Sequence, residues 1–401
     1  MPNYISLSTE LQERIIEDRK NHWENPFAFK DEDVVRRKPE KDRANIWRPA
    51  FVRDCEKIMH IPFYNRYSDK TQVFSLYKND DITRRSQHVQ LVSRTARNIG
   101  KILGLNIDLI EAIALGHDLG HTPFGHAGEK LLSKIYNGET GRYFNHNIQS
   151  ARILDKIFNL NISLQTLDGI ICHNGEKELK EYRPESYRDF ENFDMKMEKC
   201  LRHEKADREL LPATLEGCVM RISDIIAYLG KDRQDAQKLG IDSNYSYKNS
   251  SIGTTNAEII NNLTVNLIEN SYGQDCLRMD DEFFDALAEG KRENYEVIYE
   301  NKKIMEIYDN IINPMIEEIY YKLLGDLKDN VRDSLIFTHH INYVMDYTKN
   351  YTENNYLESD PNDIVVDYIA SMTDDYFIDL YKYLFPEGKY KVSYIGYFGK
   401  E

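Results

Sequence analysis

One stretch limits what this chain can fold into more than any other: Ala114-Leu115-Gly116-His117-Asp118-Leu119-Gly120-His121-Thr122-Pro123-Phe124-Gly125-His126-Ala127-Gly128-Glu129. It lies directly behind an apolar run with helical spacing through Ile110, Ile113 and Ala114. Gly120 and Pro123 then break the backbone, because proline cannot extend a helix and biases the residue before it away from the α region. Any fold has to end a buried helix here, turn, and leave three imidazoles and two carboxylates crowded at the turn. Side chains that bind metals and move protons rarely gather like this by chance.

Bulk properties narrow the setting. With 401 residues the chain can bury a large core as one big domain or two smaller ones. No apolar run approaches the roughly 20 residues needed to span a bilayer. The N-terminus lacks a basic region followed by an apolar core, so no signal peptide is expected. The five cysteines (Cys55, Cys172, Cys200, Cys218, Cys276) are scattered and never form C-x-x-C, which favours a reducing cytoplasm over a disulfide framework. A net charge of −15 disfavours broad nucleic-acid binding, yet leaves room for a polyphosphate held by a local metal and a few arginines.

Periodicity predicts a nearly all-α chain. Thr9 opens a helix through Leu11 and Ile15; residues 21–50 read as irregular, and Ala50 to Met59 as helical. Gln72 to Tyr77 alternates and is rich in aromatic and β-branched residues, so half of a short hairpin is expected there. Val89, Val92, Ala96, Ile99 and Leu103 mark a helix from Arg85 that stops at Gly104, and Asn106 or Asp108 caps the next. A helix restarts near Gly128, followed by others at roughly 145–159 and 163–173. Residues 176–209 are highly charged and read as a solvated helical insertion or a mobile lid. Core-like helical spacing returns at 211–229, and 231–256 reads as a long loop. Helical segments then fit 257–269, 279–289, 292–347 (broken near Pro314 and Gly325) and 362–385.

A metal accepting mixed imidazole and carboxylate ligands needs more than the adjacent His117 and Asp118, which diverge by about 100° on one helix and converge only at a loosened end. Antiparallel packing of the helix from Arg85 against the next brings His88 near that end. Asp224, in Arg221-Ile222-Ser223-Asp224-Ile225-Ile226-Ala227-Tyr228, is a carboxylate inside an otherwise apolar helix, costly unless paired or metal-bound. Of eleven histidines, six (His88, His117, His121, His126, His146, His173) fall in one short span, a density that core packing does not require.

The order His … His-Asp … Asp resembles that of the HD-domain metal-dependent phosphohydrolases. The longer text is similar to the deoxynucleoside triphosphate triphosphohydrolases, the dGTPase family. The matching pieces are Thr71-Gln72-Val73-Phe74, Arg85-x-x-His88, the string from His117 to Glu129, Phe144-x-His146-Asn147, Asp224-x-Ile226-Ala227-Tyr228 and Asp367-Tyr368-Ile369-Ala370-x-Met372-Thr373-Asp374. The string H-D-L-G-H-x-P-F-G-H-A-G-E is the specific part; a bare His-Asp pair is weak. The resemblance implies a single globular all-α unit over 1–401. Within it, 50–235 forms an HD metal-site core, 176–209 is its charged insertion, and 256–401 is a helical region packed on that core.

Carried over by position, the resemblance implies a divalent metal (Mn²⁺ or Mg²⁺, with Fe, Ni, Co or Zn open) on His88, His117, Asp118 and Asp224. The reaction would be water attack at the α-phosphorus of a dNTP, dGTP foremost, releasing the deoxynucleoside and triphosphate. His126 would be the general acid, oriented by Glu129, with His121 and His146 on phosphate oxygens and Arg85 as a phosphate clamp. Sugar selection would fall to Gln72, Tyr228 and Asp232, the last two at i+4 and i+8 from Asp224 on one helix face. Lys291, Tyr295 and Tyr299 would hold the polyphosphate and base; His173 borders the pocket without an assigned role. A homo-oligomer is implied, a hexamer among the arrangements, with a second dNTP as activator left open. No membrane or nucleic-acid partner is expected. Two departures bear on base preference and oligomer contacts: Leu229-Gly230-Lys231-Asp232 replaces the family's usual His-Asp pair, and Asp375 stands where arginine is common. The alternatives are another HD phosphohydrolase, acting on nucleoside monophosphates, cyclic nucleotides or alarmones, and a catalytically silent dNTP-sensing module.

Overall fold

The computed structural model describes residues 3–174, 178–186, 189–243, 245–349 and 355–400. Helices build it, as the periodicity predicts: α1 (Thr9–Lys20), α2 (Ala50–His60), α3 (Pro62–Asn65), α4 (Arg85–Leu103), α5 (Ile107–Gly116), α6 (Gly125–Thr140), α7 (His146–Arg152), α8 (Leu164–Ile171), α9 (Phe190–Arg202) and α10 (Leu215–Lys238). The chain continues with α11 (Asn256–Ser271), α12 (Asp281–Asn294), α13 (Lys302–Ile307), α14 (Asn313–Lys328), α15 (Asn342–Thr348), α16 (Pro361–Ser371) and α17 (Asp374–Leu384). Strands are confined, among the described residues, to two antiparallel pairs: β1 (Glu181–Tyr182) with β2 (Leu277–Arg278), and β3 (Ile395–Gly396) with β4 (Gly399–Lys400). All five cysteines are free and buried. No helix of the described residues is long and apolar enough to cross a membrane.

The centre is α4 packed between α5 and α10. On α4, Val89 and Val92 turn into one apolar cluster with α2, α5, α7 and α8. Ala96, Ile99 and Leu103 turn into another with α1, α10 and α11. Each buried Val, Ile or Leu contributes roughly 1.5–3 kcal/mol, so two occupied faces fix the helix in rotation as well as position. Gly104, at φ +72°, ends it in the left-handed conformation that favours glycine, and Asn106 caps α5 by accepting from the Asp108 and Leu109 amides. A third cluster joins α6, α14, α16 and α17.

Several sequence expectations are corrected. Residues 72–77 form no strand. Thr71 bridges Arg84 and Tyr77 bridges Ile395, while Phe74 and Leu76 are buried within an irregular loop. The alternation there reflects which side chains the loop sinks into its own small cluster, Phe74 with Ile82, Ala236 and Ile298. The expected loop at 231–256 begins late, because α10 continues to Lys238. Its polar face is buried by partners: Arg233 pairs with Glu293 at 3.2 Å, and Lys231 with Asp235 at 2.8 Å. α6 starts at Gly125 rather than near Gly128, and α14 runs unbroken through Gly325. Residues 362–385 are two helices, since Met372 is extended and Thr373 caps α17. The charged segment is not simply solvated, as α9 buries Phe193 and Cys200 against the main core; residues 176–177 and 187–188 of it lie outside the described residues.

The histidine-rich turn runs from the end of α5 to α6 and depends on close backbone approach. A Cβ at Gly120 would overlap the His146 carbonyl oxygen, and one at Gly128 the Pro123 carbonyl oxygen. Phe124 adopts φ +63°, a strained conformation for a bulky residue. Two contacts hold it: the Phe124 amide donates to Asp374 Oδ1 at 2.7 Å, and its ring meets Phe377 edge-on at 5.3 Å. Gly128→Ala is expected to lower stability by about 1–3 kcal/mol. Gly138→Ala, in the same helix with nothing within 4 Å of the new methyl, should raise it by about 0.5–1 kcal/mol. Denaturant unfolding of the two variants provides the comparison; equal effects would discount the steric account.

Candidate active site

Every residue nominated from the sequence except His117 and Glu129 lines one cleft, a space of about 1260 Å³ including its open mouth. His117 lies behind its floor, fully buried, and Glu129 behind His126 and His146. α4 supplies Arg85 and His88, the end of α5 supplies His117 and Asp118, and α10 supplies Asp224, Tyr228 and Asp232. The packing of α4 between α5 and α10 therefore brings together residues more than a hundred positions apart.

The four nominated metal ligands meet. His88 Nε2 lies 3.0 Å from Asp224 Oδ1 and 3.7 Å from Asp118 Oδ2, and His117 Nε2 lies 3.4 Å from Asp118 Oδ1. His117 Nδ1 donates to the Ala114 carbonyl at 2.7 Å, which leaves Nε2 as the lone-pair nitrogen, buried and without a hydrogen-bond partner. Metal bonds of about 2.1 Å place neighbouring ligands roughly 3.0–3.4 Å apart, so this orphaned nitrogen and its neighbours fit a divalent ion of the imidazole- and carboxylate-binding kind. Burial disfavours charge on Asp118, but His117, Arg85 and His121 outweigh it and hold the carboxyl well below its usual range. Burial lowers the pKa of His117; on His88 the Asp224 carboxylate overcomes burial and raises it.

Next to this cluster stands a second group. His126 is three-quarters exposed at the mouth, its Nδ1 3.1 Å from Glu129 Oε2. Glu129 serves two imidazoles rather than one: Oε1 also takes the His146 amide at 2.8 Å and His146 Nδ1 at 2.9 Å. His121 stacks on His146 with centroids 3.9 Å apart, and its Nδ1 is buried without a partner. Burial, Arg85 and His146 hold the His121 pKa well below normal. At the far end, Tyr299 donates to Asp232 Oδ2 at 2.6 Å and meets Tyr295 edge-on, while Lys291 pairs with Glu178 at 2.6 Å. Gln72 offers a buried, unpartnered Oε1.

Arg85, expected as a phosphate clamp, lines the cleft with its guanidinium already engaged. It is buried and ion-paired with Asp118, and donates to the Thr71 carbonyl at 3.2 Å. Residues that sequence reasoning left without a role are structural parts of the site. Buried Lys70 donates to the carbonyls of His121 and Ala370, and Asp374 accepts from the Thr71 hydroxyl and the Phe124 amide. Both sit inside or beside quoted motifs, Lys70 directly before Thr71 and Asp374 at the end of the late one. His173 also lines the cleft, with Asn174; Gly175 and Glu176 lie outside the described residues.

Two measurements follow. Chelation should lower the melting temperature, and reloading should restore it, by about 2.7 kcal/mol of stability at a hundredfold excess over Kd. His117→Ala should abolish that response, and an unchanged shift in the variant would remove the metal assignment. Burial raises the Asp232 pKa to about 7, against the opposing hydrogen bond from Tyr299. A carboxyl raised on folding stabilises fully below its unfolded pKa of about 4 and loses that contribution as pH climbs through its folded value. Asp232→Asn should therefore flatten the fall in stability between about pH 4 and 7, and an identical slope in chemical denaturation would count against it.

Comparison with known proteins gives the lineage. A family model of the HD domain matches residues 85–229. A deoxyguanosinetriphosphate triphosphohydrolase-like protein of Caldanaerobacter subterraneus is 30% identical over 90% of this chain and 92% of its own length. One from Clostridium perfringens is 31% identical over 87% and 90%, and one from Pelagibacter ubique 30% over 85% and 95%. The chain therefore belongs to the HD-domain phosphohydrolases, in the family of deoxyguanosinetriphosphate triphosphohydrolase-like proteins.

Proposed function

We propose that the protein hydrolyses deoxynucleoside triphosphates, dGTP foremost, to deoxynucleoside and triphosphate. The observation that carries this reading is one cleft whose wall combines a ligand cluster, a histidine pair sharing one carboxylate and a group of tyrosines. Bound by His88, His117, Asp118 and Asp224, a divalent metal would neutralise charge at the α-phosphate and supply activated water. The 5′-oxygen then leaves with a proton from His126. With both ring nitrogens protonated, His126 would donate Nδ1–H to Glu129 and keep Nε2–H facing outward for that transfer. His121 and His146 line the path of the phosphate oxygens, and Arg85 acts through Asp118 by holding its carboxylate in place. Tyr228 packs against the sugar at C2′, where a ribose hydroxyl would collide, and Gln72 and Asp232 bind the 3′-hydroxyl. Lys291 reaches the polyphosphate by exchanging Glu178 for it.

Incubation of the Mn²⁺-loaded protein with four dNTPs and four NTPs, alone and in pairs, tests the reading. Deoxyguanosine plus triphosphate is the expected product pair, and dGMP plus pyrophosphate would sink the mechanism. Binding without turnover across several metals would favour the sensing module. His126→Ala should retain its metal and lose about 10²–10⁴ in kcat; full activity in that variant would end the acid assignment.

A further inference from the structure

The loop that carries Gln72 is held from outside by a segment the proposed mechanism leaves unused, residues 390–397. Beyond α17 the chain runs extended. Tyr390, Val392 and Tyr394 pack on the cluster of α6, α14, α16 and α17, while Lys391 and Ser393 between them stay exposed, the alternation of an extended backbone. The Tyr394 hydroxyl donates to Asp375 Oδ1 on the first turn of α17. Ile395 then bridges Tyr77: its amide donates to the Leu76 carbonyl at 2.9 Å, and its carbonyl accepts from the Lys78 amide at 3.0 Å. The Asp80 amide donates to the Tyr397 hydroxyl at 2.7 Å, and the Lys78 ammonium lies 4.6 Å from the centre of the Tyr394 ring.

The two ends of the loop are fastened elsewhere, the Thr71 hydroxyl to Asp374 and the Thr83 amide to Asp235 Oδ2 at 2.9 Å. Its middle has no strand ladder, and its share of core is the small cluster of Phe74 and Ile82 with Ala236 and Ile298. Backbone groups in such a loop exchange their partners for water readily unless fixed ones are supplied. Leu76, Lys78 and Asp80 find theirs in Ile395 and Tyr397. On its other side the loop lines the cleft with Gln72 and Val73, and Gln72 Oε1 is buried without a hydrogen-bond partner. That acceptor can meet a substrate hydroxyl while the loop keeps its depth in the wall.

We propose that Tyr394, Ile395 and Tyr397 are positioning residues for the 3′-hydroxyl of the substrate, acting through the loop and never touching the nucleotide. The inference rests on the proposed contact of Gln72 with that hydroxyl.

Two variants of the full-length, Mn²⁺-loaded protein test it. Ile395→Pro removes the donor to Leu76, and Tyr394→Phe combined with Tyr397→Phe removes both hydroxyls and keeps both rings. Each is assayed with dGTP and with 2′,3′-dideoxy-GTP, which offers Gln72 no 3′-hydroxyl to lose. In both variants kcat/KM for dGTP should fall about fivefold to tenfold, through KM, while the value for the dideoxy nucleotide stays at that of the wild type. Equal falls for the two nucleotides, the mark of a general loss of structure, would overturn the proposal, as would no fall at all. Hydrogen exchange read by mass spectrometry needs no turnover: the 76–80 amides should exchange about tenfold faster in both variants, and unchanged exchange would also overturn it. If the wild type hydrolyses neither nucleotide, Kd from calorimetry replaces KM in the same comparison. A split in Kd without hydrolysis would retain the positioning role and remove the proposed function; hydrolysis without a split would do the reverse.

Discussion

A carboxylate buried without a partner is among the most expensive groups a fold can contain, and Asp118 sits at the centre of this one. It is tolerated because Arg85 pairs with it and because His88, His117, His121 and His173 each bring an Nε2 to within 3.8 Å. Breaking a buried pair of this kind typically costs about 3–5 kcal/mol, a large part of any domain's stability. The helices that supply those partners cannot drift without exposing the charge. The arrangement of α4, α5 and the segment after α8 is thus fixed by electrostatics as well as by apolar packing.

The same centre sets a local field apart from the average charge of the chain. Around the floor of the cleft Arg85 pairs with Asp118 and Glu129 is engaged from two sides, while burial keeps His117 and His121 from adding positive charge. The bulk charge of −15 is spread over the chain; even the densely charged segment 176–209, with eleven acidic and nine basic residues, contributes only −2 of it. Average sign and local field are independent quantities here.

What could be read from the sequence follows from where the partners lie. α4 and α5 were legible because each buries an aliphatic stripe, and because α4 stops at Gly104 and α5 starts from an Asn106 cap. The end of α10 was not, because Arg233 and Asp235 look solvated until Glu293 and the Thr83 amide, 60 and 152 positions away, are seen to satisfy them. Residues 72–77 misled for the complementary reason: alternation reports burial, and a loop can bury alternate residues without any ladder. The reactive side chains were visible because they cluster in motifs. The parts that hold them were not, since a carboxylate such as Asp374 says nothing about the Thr71 hydroxyl and the Phe124 amide it will find 303 and 250 positions back.

That last pair of bonds carries a consequence for the order of events in synthesis. Asp374 lies far beyond residues 85–229, yet it anchors both the loop that carries Gln72 and the turn that carries His121 and His126. A nascent chain can emerge with every ligand and every imidazole already outside the ribosome and still lack the fastening that shapes the turn. The turn that carries His121 and His126 therefore gains its last fastening only when α17 docks, at the close of synthesis.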